Sequence, residues 1–151
     1  MKYLCLLGLL TMASMSILFA QNTQPTGRQR KDITALIDQY SLARENRDTI
    51  LLKKILTTDI DQLVSTGEWR SGIRSAIQGM LASSATTPGT RTLTVDRIKI
   101  LSTNSAVADC RYEILNSDGT PRKMWSAFIV TSSKGTWKIS SIRNMLPSVN
   151  R

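Results

Sequence analysis

The spacing of apolar positions changes part-way along this chain. Between Asp32 and Glu45, Ile33, Leu36, Ile37, Tyr40 and Ala43 recur three and four residues apart, which is one face of a helix. Asn46 suits a helix end because its side chain tolerates the left-handed conformation. Asp48 offers an N-cap to a second helix over Thr49–Leu56, carrying Ile50, Leu51, Ile55 and Leu56. Thr57-Thr58-Asp59 interrupts that pattern, so a turn is expected there, with Asp61–Ser65 as a short strand. Thr66-Gly67-Glu68 turns the chain into Trp69-Arg70. Ser71 can then cap a third helix with the stripe Ile73, Ala76, Ile77, Met80 and Leu81. Residues 83–90, with Pro88-Gly89, read as a loop.

Beyond that loop the period falls to two. Thr92–Leu101, Ala106–Leu115, Lys123–Thr131 and Trp137–Met145 predict four strands, separated by turns at Ser102-Thr103-Asn104, Asn116-Ser117-Asp118-Gly119 and Ser133-Lys134-Gly135. Val95 and Ile98 break the alternation, which predicts a β-bulge near Asp96-Arg97 and a bent sheet. The second long strand places Ala106, Ala108, Cys110, Tyr112 and Ile114 on one face. Its other face carries Asp109, Arg111 and Glu113, expected to be wet or paired across strands. The order helix, helix, short strand, helix, four-strand antiparallel meander is that of an α+β domain. Three helices over a curved sheet leave room between the layers for a small ligand.

A length of 151 residues suits one domain. The chain has no histidine, which excludes Ser-His-Asp and Cys-His nucleophiles and His-ligated zinc. Twenty Lys+Arg against 11 Asp+Glu give a formal charge of +9, but the basic residues are scattered. No basic stripe with interleaved aromatics is present, so nucleic acid is not an expected partner. Residues 1–20 run from Lys2 through the apolar Leu4–Leu10 to the small Ala20, the pattern of a cleaved signal peptide. Export, periplasmic or secreted, is therefore expected, with no stable membrane span after cleavage. Cleavage would remove Cys5 and leave Cys110 without an internal disulfide partner, a small buried hydrophobe in its strand. Residues 21–31 read as a flexible leader, 32–147 as the domain and 148–151 as a tail.

Three segments carry a resemblance: Asp32 to Asp48, the run Ser65-Thr66-Gly67-Glu68-Trp69-Arg70-Ser71-Gly72, and Trp137 to Pro147. In order and spacing they resemble the nuclear-transport-factor-2-like (NTF2-like) superfamily, and within it the SnoaL-like branch with its many domains of unknown function. The resemblance implies a cone-shaped α+β fold: a short first strand and a four-strand meander in a curved antiparallel sheet, covered by three N-terminal helices. The fold hosts isomerases, cyclases, dehydratases, non-catalytic subunits and binding modules, so it does not name an activity. Homodimers are frequent among proteins resembling it. Ketosteroid isomerases share the fold and keep a tyrosine on the first helix, where Tyr40 stands here. Their two acid positions fall on Val64 and Ser126, neither of which can serve as an acid or base.

The candidate chemistry is therefore sparse. Asp59 and Asp61 are a close carboxyl pair; either would act as a general base if an apolar cleft raised its pKa, with Tyr40 donating a hydrogen bond to a substrate carbonyl. The plain alternatives are backbone-bonded turn aspartates and a core tyrosine. Two carboxylates without further ligands do not make a metal cage, and no metal or cofactor is expected. Trp69 and Trp125 are candidates to stack on an apolar ligand, with Tyr112, Arg143 and Asn144 also in the candidate binding set. Arg143 either anchors a ligand carboxylate or pairs with Glu113 or Asp109. The reading is an exported, homodimeric domain binding a small, partly apolar molecule. The alternatives are an isomerase-, cyclase- or dehydratase-type enzyme on a small apolar carbonyl compound, and a homodimerisation module without catalysis.

Overall fold

The computed structural model describes residues 23–86 and 89–148, so the expected signal peptide lies outside the described residues. Helix α1 spans Gly27–Glu45 and begins more than a turn before Asp32. Its start is set by a capping box. The Thr26 hydroxyl accepts from the Gln29 amide at 3.2 Å, while the Gln29 side chain accepts from the Thr26 amide at 2.9 Å. Part of the expected leader is therefore helix, and its first turn is polar because it faces solvent. Arg47 (φ 54°), not Asn46, takes the left-handed conformation after α1. Asp48 then caps α2 (Thr49–Ile55), its carboxylate accepting from the amides of Ile50 and Leu51, both at 2.9 Å.

Strand β1 (Leu56–Leu63) starts directly after α2, so Thr57-Thr58-Asp59 is strand rather than turn. The β-branched threonines favour that outcome. Leu63 of β1 then pairs with Trp69 of a short strand β2 (Trp69–Ser71), and α3 (Gly72–Thr86) carries the chain across the sheet, running past Ser83 into the expected loop. Strands β3 (Gly89–Ser102), β4 (Ser105–Asn116), β5 (Pro121–Ser133) and β6 (Thr136–Met145) form the meander. The sheet order is β2-β1-β6-β5-β4-β3. Two expectations are corrected here. The sheet has six strands rather than five, and β1 runs parallel to β6. The parallel pairing arises because α3 and four strands separate β1 from β6 along the chain, so their relative direction is not set by a hairpin.

The pairing register shifts between Val95 and Arg97, so Asp96 is the bulged residue and the sheet bends there. On the outer face the charges pair across strands: Arg97 with Asp109 at 2.7 Å, Arg111 with Asp96 at 2.8 Å and Lys123 with Glu113 at 3.7 Å. On the inner face Ile33, Ile37 and Tyr40 of α1 and Leu52 of α2 pack on Ile98, Ala108, Phe128 and Ile142. The Tyr40 ring meets the Phe128 ring edge-on, with centroids 5.3 Å apart. Cys110 is buried in this core and burial pushes its thiol up to about 12, so it is packing material rather than a nucleophile. Around α1 the space between helices and sheet is thus filled by side chains.

Candidate functional site

The hollow lies at the other end of the layers, between the last turn of α3, the β1–β2 hairpin, the ends of β4 and β6 and the start of β5. It is a cavity of about 280 Å³. Val64, Tyr112, Ile114 and Met124 give it an apolar side. The remainder is polar. Among the described residues, its wall carries the guanidiniums of Arg44, Arg70 and Arg122 and one carboxylate, Glu68.

Each arginine arrives by a different route. Arg44 follows Tyr40 by one turn, so the apolar stripe of α1 carries it inward. It is 6% exposed, and its guanidinium reaches the Tyr40 hydroxyl at 3.3 Å and Met80 O and Ser84 Oγ at 3.5 Å each. Its Nε has no partner. Burial in turn pushes the Tyr40 hydroxyl above its ordinary range against the pull of Arg44, so Tyr40 stays protonated.

Arg70 sits on β2 and is 8% exposed, lying across α3 where Gly79 has no side chain. A Cβ at Gly79 would come within 2.2 Å of Arg70 Nε. Arg70 holds Glu68 in a two-pronged pair, Nε to Oε1 at 2.8 Å and Nη2 to Oε2 at 3.2 Å, which keeps the Glu68 carboxyl below its usual range. Arg122, at the start of β5, donates to Ser65 Oγ at 2.9 Å. Gln62 projects from β1 into the same cavity, 1% exposed, and its Oε1 has no partner. Asn144 lines the wall with its Oδ1 already accepting from Ser126 Oγ at 2.7 Å.

Of the residues singled out from sequence, Tyr112 and Asn144 reach this cavity. Tyr40 is a buried core residue bonded to Arg44 and lines only a void of about 10 Å³. Asp59 is exposed on β1. Strand alternation puts Asp61 on the outer face, since Ile60 and Gln62 point inward. There Arg143 Nη2 donates to Asp61 Oδ2 at 2.7 Å, and the Ser141 hydroxyl donates to the same carboxylate. Burial works against the Asp61 charge, but those hydrogen bonds and the guanidinium outweigh it and hold the carboxyl below its ordinary value. That is the wrong direction for a general base at neutral pH. No geometry joins either aspartate to Tyr40, so the expected base-and-tyrosine mechanism has no constellation to run on.

Arg143 is taken by Asp61 and by the Trp69 ring, whose centroid lies 4.8 Å from the guanidinium carbon. It meets neither Glu113 nor Asp109, which pair with Lys123 and Arg97. Trp69 is 57% exposed beside it. Trp125, 42% exposed, borders a shallow outer depression of about 380 Å³ with Asp96, Arg97, Asp109 and Met145. Among the described residues no group of acidic or thiol side chains could hold a metal ion, and no helix is long and apolar enough to cross a membrane.

No family model matches the sequence and no curated protein matches it. Solved structures do match. A domain of unknown function with a cystatin-like fold from Nostoc punctiforme superposes with a TM-score of 0.72 at 14% identity, covering 83% of this chain and 81% of its own. An NTF2-like protein with a cystatin-like fold from Novosphingobium aromaticivorans gives 0.70 at 15% identity, over 82% and 84%. An NTF2-like protein of unknown function from Shewanella oneidensis gives 0.62 at 18% identity, over 77% and 98%. The chain has the cystatin-like, NTF2-like fold. At these identities the likeness establishes the NTF2-like architecture and leaves the activity to the site itself.

Proposed function

We propose that this is an exported NTF2-like domain that binds a small molecule in the cavity between α3 and the sheet. The observation that carries the reading is the buried, unpartnered Gln62 Oε1 and Arg44 Nε at a cavity of about 280 Å³. Buried polar atoms without partners cost free energy, and a ligand that pairs with them recovers it. The volume sits at the small end of ligand pockets, so the guest is compact. Export rests on the signal pattern of residues 1–20.

The test is thermal denaturation of the purified protein against a broad library of small metabolites. A ligand at a hundred times its Kd adds about 2.7 kcal/mol of stability, which is several degrees for a domain of this size. The expected result is such a shift from a small subset of compounds. No shift from any compound in the library overturns the reading.

A second reading is favoured by the outer sheet face. Trp125 and Met145 are exposed there, next to the half-buried Val107, Ala127 and Ile129. Such a patch is suited to a second copy of the chain. Sedimentation over a range of concentrations is expected to show a dimer that Trp125→Asp dissociates. A wild-type monomer at the highest concentration counts against it.

A further inference from the structure

Taking the small-molecule reading as given, we infer that the guest is an organic carboxylate, its carboxylate held by Arg44 and Arg122 and a hydrogen-bond donor on its body meeting Gln62 Oε1. Charge balance at the wall points to an anion. Of the three guanidiniums on the wall, Arg70 is neutralised by Glu68. No salt bridge within the described residues reaches Arg44 or Arg122. Arg44 has only neutral oxygens near it, at 3.3 to 3.5 Å, and Arg122 has only a serine hydroxyl. Burying the Arg44 guanidinium without a counter-charge costs free energy, and the half-buried Arg122 guanidinium facing the same cavity repels it. An anion in that cavity removes both costs.

The chemistry of the wall narrows the anion. Guanidinium forks match the planar carboxylate, which they can grip with parallel hydrogen bonds. Ala82, Ser83 and Thr86 bring the C-terminal end of α3 to the cavity. The carbonyls of a helix C-terminus are the negative pole of the helix and oppose a second ligand charge. A monoanion therefore fits better than a phosphate dianion. The apolar side formed by Tyr112, Ile114 and Met124 accommodates the hydrocarbon body of the acid.

The experiment uses calorimetry and melting curves with benzoate, 4-hydroxybenzoate and hexanoate, each beside its primary amide, and with inorganic phosphate. At least one carboxylate is expected to bind, with its amide at least tenfold weaker. Arg122→Gln is expected to lower that affinity tenfold or more while melting within about two degrees of the wild type without ligand, because Arg122 is only half-buried and bonds one serine. Arg122→Lys should retain part of the binding, since the charge remains but the fork is lost. Equal binding of acid and amide, tighter binding of phosphate, undiminished carboxylate binding by Arg122→Gln, or no carboxylate binding at all overturns the inference. If a neutral or cationic library compound binds while no carboxylate does, the small-molecule reading survives and only the carboxylate assignment falls.

Discussion

Phe128→Ala is expected to remove about 3–5 kcal/mol of unfolding free energy. Phe128 is fully buried on the inner face of β5, with its ring against the edge of Tyr40. Truncation deletes the transfer free energy of the ring and leaves a void that α1 can only partly close. Domains of this size carry about 5–15 kcal/mol in total, so the loss is a large fraction of the stability. Urea denaturation followed by tryptophan fluorescence measures the loss. Ile129→Ala, half-buried on the opposite face, is the comparison and should cost clearly less. A loss below about 1.5 kcal/mol for Phe128→Ala would mean that the α1 end of the interior is not packed as described.

The second large effect is a change of sign. Gly79→Ala should destabilise the wild-type protein by about 2 kcal/mol, because the new methyl occupies the path of the Arg70 side chain. With Arg70→Ala already in place, the same substitution should stabilise by up to about 1 kcal/mol, the ordinary preference of a helix interior for alanine over glycine. The two numbers imply a coupling of about 3 kcal/mol, read by a double-mutant cycle in urea. A stabilising Gly79→Ala in the wild-type background would contradict the crossing of Arg70 over α3. The cycle also bears on the site: displacing Arg70 frees Glu68, placing an unpaired carboxylate at the mouth of a cavity argued to attract anions.

Much of this architecture was legible from apolar spacing. Ile33, Leu36, Ile37, Tyr40 and Ala43 are all buried on α1, and the slip between Val95 and Ile98 marks the bulge at Asp96. The pairing of Asp109, Arg111 and Glu113 across strands followed from their shared face. The misreadings have local causes. Thr26-x-x-Gln29 caps α1 in a stretch with no apolar stripe to announce a helix. Thr57-Thr58-Asp59 interrupted a helical pattern, and an interruption does not tell a turn from an immediate strand.

The candidate site was read less well. The aromatic and charged residues that stood out, Trp69, Trp125 and Arg143, lie on the outer face, whereas Arg44, Gln62, Arg70 and Arg122 line the cavity. Two traces of these were present in the sequence. Arg44 lies four residues after Tyr40 on an apolar stripe, and Gly79 interrupts the middle of a helix next to Met80. Both are the kind of local inconsistency expected where a side chain serves something other than the core.

By itself, then, the order of residues determined the α+β class, the bent meander and the inward faces of α1, α3 and β4, because burial selects for periodicity and periodicity is written in one dimension; on the short α2 it did not, since Ile50 is exposed and Leu52 is the buried residue. Tertiary structure alone decided that β1 runs parallel to β6, that Asp61 is spent on Arg143, and that three arginines from distant segments line one cavity, where Glu68 is the one carboxylate among the described residues. Those outcomes depend on distances through space between residues far apart in the chain, and charge balance in a cavity is a sum over neighbours that no local pattern records.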